Sequence, residues 1–413
     1  MLAASVQHPI SLQKVDLTFY ISTKHSQPIL GLEACLQFEL LSIIDENICA
    51  MQSTQATLTI DTIVKEYKDL FEGLGEMPGK VHLEVDPGVQ PVQMSLRRLP
   101  IPIKDKVERE LRQMCQDGII EQVSEPSAWV SALLVVAKPN GRIRICIDPK
   151  PLNRALQRSQ YRMPTIDDVL PLLTNAKVFS IVDAKNGFWL LKLDDQSSKL
   201  TTFGTAWGRF KWRRLPFGVS PAPEIFQARI HEALEGLMGV ACIADDILVF
   251  GSGDNLEVAQ RDHDRNLIAL LDRCREQGIR LNRDKLQLNR STSTFMGHEL
   301  TANGLRPDPK KVEAIRQMPP PTDRAGVLRL LGMATYLAKF CPHFSEATAK
   351  IRELLTQDAE FMWDPNTHEK VKELLSTAPV LQYYDVRKPI VVQSDASQSG
   401  IGAVILQDGM PVE

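Results

Sequence analysis

Asp245 and Asp246 stand side by side between two short apolar runs, V-A-C-I (240–243) and I-L-V-F (247–250). A tight turn needs polar residues and Asp is common in one, so two adjacent aspartates read first as a solvated hairpin tip. Two features point elsewhere. The flanking runs are apolar on both faces, as in strands inside a sheet. A further carboxylate, Asp183, closes another apolar run, K-V-F-S-I-V (177–182). Neighbouring carboxylates repel one another, and burial makes that costly unless a cation compensates. Magnesium takes oxygen ligands and leaves positions for waters and substrate phosphates. Two such ions ~4 Å apart can activate an attacking hydroxyl and stabilise the leaving oxygen of an in-line phosphoryl transfer. Asp183, Asp245 and Asp246 are therefore the candidate metal-ligating and catalytic set.

The elements that must hold these residues can be read from periodicity. Residues 177–182 form a strand ending on Asp183, and the pattern expects another strand at 189–193. A helix is expected from Pro223 to Met238, with Pro at an early helical position, and a long one over about 260–277. L-L-V-V-A-K-P-N-G-R-I-R-I-C-I (133–147) holds two β-rich runs around Pro139-Asn140-Gly141, a hairpin signal. On its return strand Arg142 and Arg144 alternate with Ile143 and Ile145, so the arginines share a face. Residues 104–117 read as an amphipathic helix with Val107, Leu111 and Met114 on one stripe, stopped by Gly118. A helix-like patch runs from Ile63 to Phe71. Further helices are expected at 308–317, 323–340 and 345–356, and a strand–turn–strand at 389–407.

The length of 413 residues suggests roughly two to four domains. Net charge is −3, which by itself gives no hint of a polyanionic partner, but the distribution does. Seven basic residues and a single acid, Asp148, lie between Val136 and Met163. W-G-R-F-K-W-R-R (207–214) interleaves cations with aromatics. Such clusters suit phosphates and stacked bases, or are solvated basic faces. No run approaches the ~20 apolar residues of a membrane span, and the start shows no secretory signal. Seven dispersed cysteines without a C-x-x-C pair argue against a disulfide framework or zinc site.

The run from 135 to 251 resembles the polymerase core of reverse transcriptases of gypsy-type LTR retrotransposons. The resemblance is carried by K-P-N-G-R-I-R-I-C-I-D-P-K-P-L-N (138–153), Y-R-M-P-T-I-D-D-V-L (161–170), F-S-I-V-D-A-K-N-G-F-W (179–189), L-T-T-F (200–203), R-L-P-F-G-V (214–219) and I-A-D-D-I-L-V-F-G (243–251), in the family's order and spacing. It implies an α+β right-hand polymerase with fingers, palm and thumb, and roles residue by residue. Asp183 and Asp245 would be the shared metal ligands and Asp246 the third carboxylate. Ile243 departs from the family's usual Tyr, which touches rate and fidelity rather than metal binding. Arg144 would clamp the nucleotide triphosphate, Lys138 would reach its terminal phosphate, and the role of Arg142 stays open. Phe188 would block a ribose 2′-hydroxyl, and Phe217 would meet the incoming base and sugar. Asp148 and Asn153 look structural. For Trp207 and Trp212, stacking and packing both stay open. F-M-G-H-E-L (295–300) resembles the hairpin that grips a primer's 3′ end, through Met296, Gly297 and His298. Gly in a strand marks close backbone approach.

The ends carry two further resemblances. Residues 1–46, with V-D-L-T-F-Y-I (15–21) and P-I-L-G-L-E-A-C-L (28–36), resemble the C-terminal piece of a retropepsin, but the chain holds no D-[ST]-G triplet, so no protease activity is expected of it. Residues 350–413 resemble a connection region and the start of a ribonuclease H domain. There Asp395 matches the first catalytic carboxylate, and the remaining ones are expected beyond Glu413. An unfinished sheet edge there would be an aggregation liability. The expected division is 1–46 retropepsin remnant, 47–85 linker, 86–300 fingers and palm, 301–349 thumb, and 350–413 connection with a truncated ribonuclease H-like α/β region. The implied cofactor is Mg²⁺ or Mn²⁺. The implied partners are an RNA or DNA template–primer duplex, deoxynucleotides and the rest of a Pol polyprotein, with no membrane. The expected location is cytoplasmic, in virus-like particles, with nuclear access. The alternative function is a catalytically decayed, nucleic-acid-binding remnant.

Overall fold

The strand Ala176–Asp183 is the axis of the fold, and every residue in it but Lys177 is buried. The computed structural model describes residues 2–7, 14–19, 58–138, 141–158, 160–341, 344–356, 361–376, 380–397 and 400–412. The chain divides into two units, Met1–Leu58 and Thr59–Glu413. In the first, the strand Leu2–Gln7 pairs antiparallel with Lys14–Phe19. The rest of the expected retropepsin remnant, including 28–36, lies outside the described residues.

In the second unit the axial strand sits inside a four-stranded antiparallel sheet. The order is Val240–Ile243, Asp246–Ser252, Ala176–Asp183, Gln287–Arg290. The two apolar runs around Asp245 therefore differ in position. Asp246–Ser252 is interior as expected, whereas Val240–Ile243 is an edge strand. Its apolar character has another cause: the helix Ala222–Leu234 covers that edge, and the Gln227 side-chain amide donates to the Cys242 carbonyl at 3.1 Å. That helix and its Pro at the first turn match the sequence reading but end at Leu234, short of Met238.

One face of the sheet is covered by the helix Leu256–Glu276. The Asn255 side chain caps its start by accepting from the Val258 N–H at 2.9 Å. The buried positions Ala259, His263, Leu267, Leu270, Leu271 and Cys274 recur at helical spacing and lie against the strands. Two polar ties fix its register. His263 Nε2 lies 2.7 Å from Ser180 Oγ, and the Asn266 amide donates to the Phe250 carbonyl at 3.0 Å. On the other face Phe179, Ile181, Ile243 and Leu248 join one core with Phe295, Leu300, Leu305, Val327, Leu330 and Phe340. That core therefore runs without a break into the helices Pro309–Arg316 and Arg324–Tyr336.

The basic hairpin forms as read: Ser131–Ala137 pairs with Ile143–Asp148, with Ala137 opposite Ile143. It is one side of a five-stranded sheet that also takes in Phe203–Thr205, Gly208–Trp212 and Ile120–Val123. The amphipathic helix runs Ile101–Gln116 and buries Val107, Leu111 and Met114. Gly118 follows it at φ +67°, a left-handed conformation that glycine adopts without strain.

Two expectations need correction. The strand expected at 189–193 is a 3₁₀ turn, Gly187–Leu190, followed by a two-residue strand, Lys192–Leu193. The apolar spacing there serves packing, since Trp189 lies against Trp212 and Phe217. The expected linker 47–85 is not a linker from Thr59 onward. Thr59 caps the helix Ile60–Glu66, and Ile63, Leu70, Met77, Val81 and Leu83 are buried within the second unit. The short spacing of Gly and Pro around them hid this packing. Among the described residues all five cysteines are free, and no helix is long and apolar enough to cross a membrane.

Leu270 is fully buried and Ile268, on the same helix, is 41% exposed. Leu270→Ala should lower the unfolding free energy by about 2–5 kcal/mol, and Ile268→Ala by no more than about 0.5 kcal/mol, read from urea unfolding curves. Equal losses would show that this helix does not pack on the sheet as described.

Candidate active site

Three carboxylates meet at one end of the four-stranded sheet. Asp183 is the last residue of the axial strand and Asp246 the first of its neighbour, and the antiparallel register sets them directly opposite. Such pairs share a face with Cβ atoms roughly 4.5–5.5 Å apart. Ile243 pairs with Asp246, so Ala244 and Asp245 form a two-residue turn. Ala244 takes φ +52°, a left-handed value that costs energy for a residue with a Cβ. Two hydrogen bonds hold it there. The Ala244 N–H donates to Gln227 Oε1 at 2.7 Å, and the Ala184 N–H donates to the Asp245 carbonyl at 2.8 Å. A Cβ at Gly187 would collide with Asp245 Oδ1, so the absence of a side chain there leaves room for the carboxylate.

Asp183 is 5% exposed. Its Oδ1 accepts from the Asn282 amide at 3.2 Å and its Oδ2 from the Lys285 ammonium at 2.5 Å. Asp245 Oδ1 is buried and accepts no hydrogen bond from the protein. Burial first, then the charges of Asp183 and Asp246, push the Asp245 carboxyl up to about 6. The same causes, burial and then Asp183, raise Asp246. Among the described residues no three acidic, His or Cys side chains already converge at metal-ligand spacing; Asp183 is turned toward Lys285. The donor set still fits a divalent cation. All of it is carboxylate oxygen, one oxygen is buried without a donor, and the mutual repulsion is of the kind a cation relieves.

The basic hairpin faces a cleft of about 600 Å³ lined by Lys138, Arg142, Arg144, Trp189 and Phe217, and by Lys106 and Arg109 from the helix Ile101–Gln116. The Arg144 guanidinium lies 4.7 Å from the Phe217 ring centre. Partial burial, then Arg144 and Arg142, lower the Lys138 ammonium from its usual value, so an anion is the partner that would relieve it. Phe188 sits on the 3₁₀ turn just after Asp183, packed between Phe217 and Phe226 at 5.0 and 5.7 Å. Asn153 is structural, as read. It donates to the Gly218 carbonyl and accepts from the Ser220 N–H, both at 2.9 Å, which holds the Phe217 loop.

The cluster at 207–214 does not face the cleft. Trp212 is fully buried against Phe203. Arg214 is buried and donates to the carbonyls of Gly75 and Trp189, and Lys211 and Arg213 pair with Glu121. Met296 and Gly297 form the tip of the hairpin Thr292–Phe295/His298–Thr301, with φ +48° and +76°. The His298 side chain turns inward, 3% exposed, and its burial pushes the imidazole down to about 4. Asp395 lies on the strand Val391–Ser397 opposite Gly402, and its side chain is outside the described residues. Sequence reasoning missed Gln227, Asn282 and Lys285. Each is a polar residue of common type whose relation to the aspartates exists only in the folded register.

Residues 136–300 match the sequence profile of the family described as reverse transcriptase (RNA-dependent DNA polymerase), and residues 364–412 that of the RNase H-like domain found in reverse transcriptase. The retrovirus-related Pol polyprotein from transposon opus of Drosophila melanogaster is 30% identical over 375 residues, 84% of this chain and 36% of that protein. The one from transposon 297 of the same fly is 28% identical over 319 residues, 74% and 29%. The transposon Tf2-3 polyprotein of Schizosaccharomyces pombe is 27% identical over 359 residues, 84% and 26%. The chain thus spans only 26–36% of the length of these relatives. Among solved structures, the foamy viral protease-reverse transcriptase in complex with an RNA/DNA hybrid superposes with a TM-score of 0.72 at 22% identity, covering 85% of this chain and 48% of that one. The dRH form with double-stranded DNA gives 0.77 at 18% identity, covering 99% and 75%. At these identities the likeness is one of fold. Fold and acidic face together define a right-hand polymerase. Within that class, residues 136–300 are a reverse transcriptase domain, similar to that of retrotransposon Pol polyproteins, and residues 364–412 an RNase H-like domain of the kind found in reverse transcriptases.

Asp245 binds its proton more tightly folded than unfolded, so its contribution to stability is present below pH 3.8 and is lost as the pH rises to about 6. In metal-free buffer, Asp245→Asn should be more stable than the parent at pH 7, and the difference should vanish near pH 4. A difference independent of pH, read from urea midpoints, would show that the Asp245 carboxyl is not held in this repulsive setting.

Proposed function

We propose that this chain synthesises DNA on an RNA or DNA template, with Asp183, Asp245 and Asp246 as its catalytic carboxylates. The observation that carries the reading is the cross-strand pair Asp183–Asp246 with Asp245 at the adjoining turn, on a sheet end that faces the basic hairpin across Phe188 and Phe217. Two divalent ions, Mg²⁺ or Mn²⁺, held by these carboxylates would activate the primer 3′-hydroxyl and stabilise the leaving pyrophosphate. The protein's own part is positioning and charge complementarity. Arg144 and Lys138 bind the triphosphate; a planar guanidinium suits that contact. Phe217, carrying Arg144 on its face, sets the level of base and sugar, and Phe188 beside it closes the space of a 2′-hydroxyl. The Met296–Gly297 tip holds the primer end.

In this reading 86–300 are fingers and palm, 301–349 thumb, and 350–413 connection and RNase H-like region. Ribonuclease H activity, with Asp395 as one ligand, belongs to the whole polyprotein. The partners are a template–primer duplex, deoxynucleotides and the rest of that polyprotein. A duplex-binding remnant without synthesis is the rival, favoured by the turning of Asp183 toward Lys285.

Primer extension on an RNA template with Mg²⁺ separates the two. The parent should extend, and Asp245→Asn/Asp246→Asn should lose at least about 10²–10³-fold in rate. Equal extension by both proteins refutes the catalytic assignment, and binding without extension by the parent supports the remnant. Phe188→Val should raise the use of ribonucleotides relative to deoxynucleotides by about 10–100-fold. An unchanged ratio would leave Phe188 as a packing residue.

A further inference from the structure

The tip of the hairpin at Met296–Gly297 is held from outside by two helices. Tyr336, at the end of Arg324–Tyr336, donates its hydroxyl to the Met296 carbonyl at 2.8 Å. With its proton on Nδ1, His298 donates to the same carbonyl at 3.1 Å, and its ring lies 5.1 Å from the Tyr336 ring at an interplanar angle of 31°. Lys311, from Pro309–Arg316, places its ammonium 3.5 Å from the centre of the Tyr336 ring. A Cβ at Gly297 would run into both the Lys311 ammonium and the Tyr336 hydroxyl. These groups therefore fill the space that this glycine leaves, and they crowd against the turn itself.

The arrangement has two consequences. Met296 is a residue with a Cβ held at φ +48°, a conformation that persists only where the surroundings determine it. The bond from Tyr336 to its carbonyl is such a determinant. The second concerns charge. Nearby Lys339 pairs with Asp167 at 3.1 Å. Among the described residues Lys311 has no carboxylate partner, and its ammonium rests on an aromatic face. A cation–π contact holds an ammonium in place without neutralising it. Met296 and Tyr336 are each 39% exposed, so the clasp lies at the surface beside the tip.

We propose that Lys311 and Tyr336 form a clasp in which Tyr336 fixes the Met296–Gly297 turn and Lys311 offers its ammonium to a backbone phosphate of the primer strand lying on that turn. This rests on the polymerase reading for the identity of the strand. Tyr336 is a positioning residue and Lys311 a strand-binding one. Neither touches the reacting atoms.

The test is equilibrium binding of a fluorescent primer–template duplex across a salt series, with circular dichroism to confirm folding. Lys311→Met should lower the slope of log affinity against log salt by about one, and Lys311→Arg should restore it. Tyr336→Phe keeps the ring and the cation on it but loses the bond to Met296 and the 3.2 Å contact in which its hydroxyl accepts from His298 Nδ1. It should weaken binding about 3–10-fold, as the loss of the hydroxyl's hydrogen bonds does, with the slope unchanged. A neutral methylphosphonate near the primer's 3′ end should weaken the parent and add nothing to Lys311→Met. An unchanged slope in Lys311→Met, an affinity of Tyr336→Phe within twofold of the parent, or an additive methylphosphonate effect each overturns the proposal. These readouts involve no synthesis, so a parent that binds but does not extend would refute the catalytic reading alone.

Discussion

Like charges brought together at the end of one sheet are the constraint on which this structure turns. Asp183 and Asp246 face each other across a strand pair, and Asp245 sits at the turn between strands. Nothing in the hydrophobic core gains from that arrangement; burial raises Asp245 and Asp246, and each is raised further by the charges beside it. The surroundings supply partial compensation. Lys285 and Asn282 meet Asp183, while Gln227 and the Ala184 N–H hold the backbone of the turn against relaxation. A rigid sheet, a covering helix and a core continuous with the helices beyond Pro307 keep three groups together that would otherwise separate.

Much of this was legible in the sequence, for identifiable reasons. Strand ends at Asp183 and around Asp245 follow from apolar runs too short for helices. The basic hairpin follows from alternation around Pro139-Asn140-Gly141, and the helix Ile101–Gln116 from a single apolar stripe. The errors have physical causes as well. The run after Asn186 has strand-like composition but must place Phe188 and Trp189 into two aromatic contacts within one turn, which a 3₁₀ geometry does and an extended one does not. Residues 59–85 lack sustained periodicity because they pack as short pieces, each burying a few apolar side chains within the larger unit.

Charge clusters were the least legible feature. From 136 to 163 and from 207 to 214 the sequence shows two similar concentrations of cations. In the first, Lys138, Arg142 and Arg144 line the cleft while Arg158 and Arg162 pair with Glu224 and Asp168; in the second, Arg214 is buried on backbone carbonyls and Lys211 and Arg213 pair with Glu121. The partners that separate a binding surface from a structural tie come from Gly75 and Glu121, far off in the chain, and no local pattern announces them. The same holds for the triad-like string Ser180, His263 and Asp264. Its members are in contact, yet Ser180 and His263 are fully buried, so the contact joins helix to sheet and has no route to a substrate.

Gly187 carries a consequence for inheritance. Its missing Cβ is the space in which the Asp245 carboxylate stands, so no other amino acid can take the position without displacing that group. In the coding DNA, a first- or second-base change at this codon cannot be silent. On the catalytic reading proposed above, a copy that lost this glycine would have its Asp245 carboxylate displaced with all three aspartates still in its sequence. On that reading, intact aspartates alone are an incomplete guide to a working centre, and the small residue behind them is the companion to check.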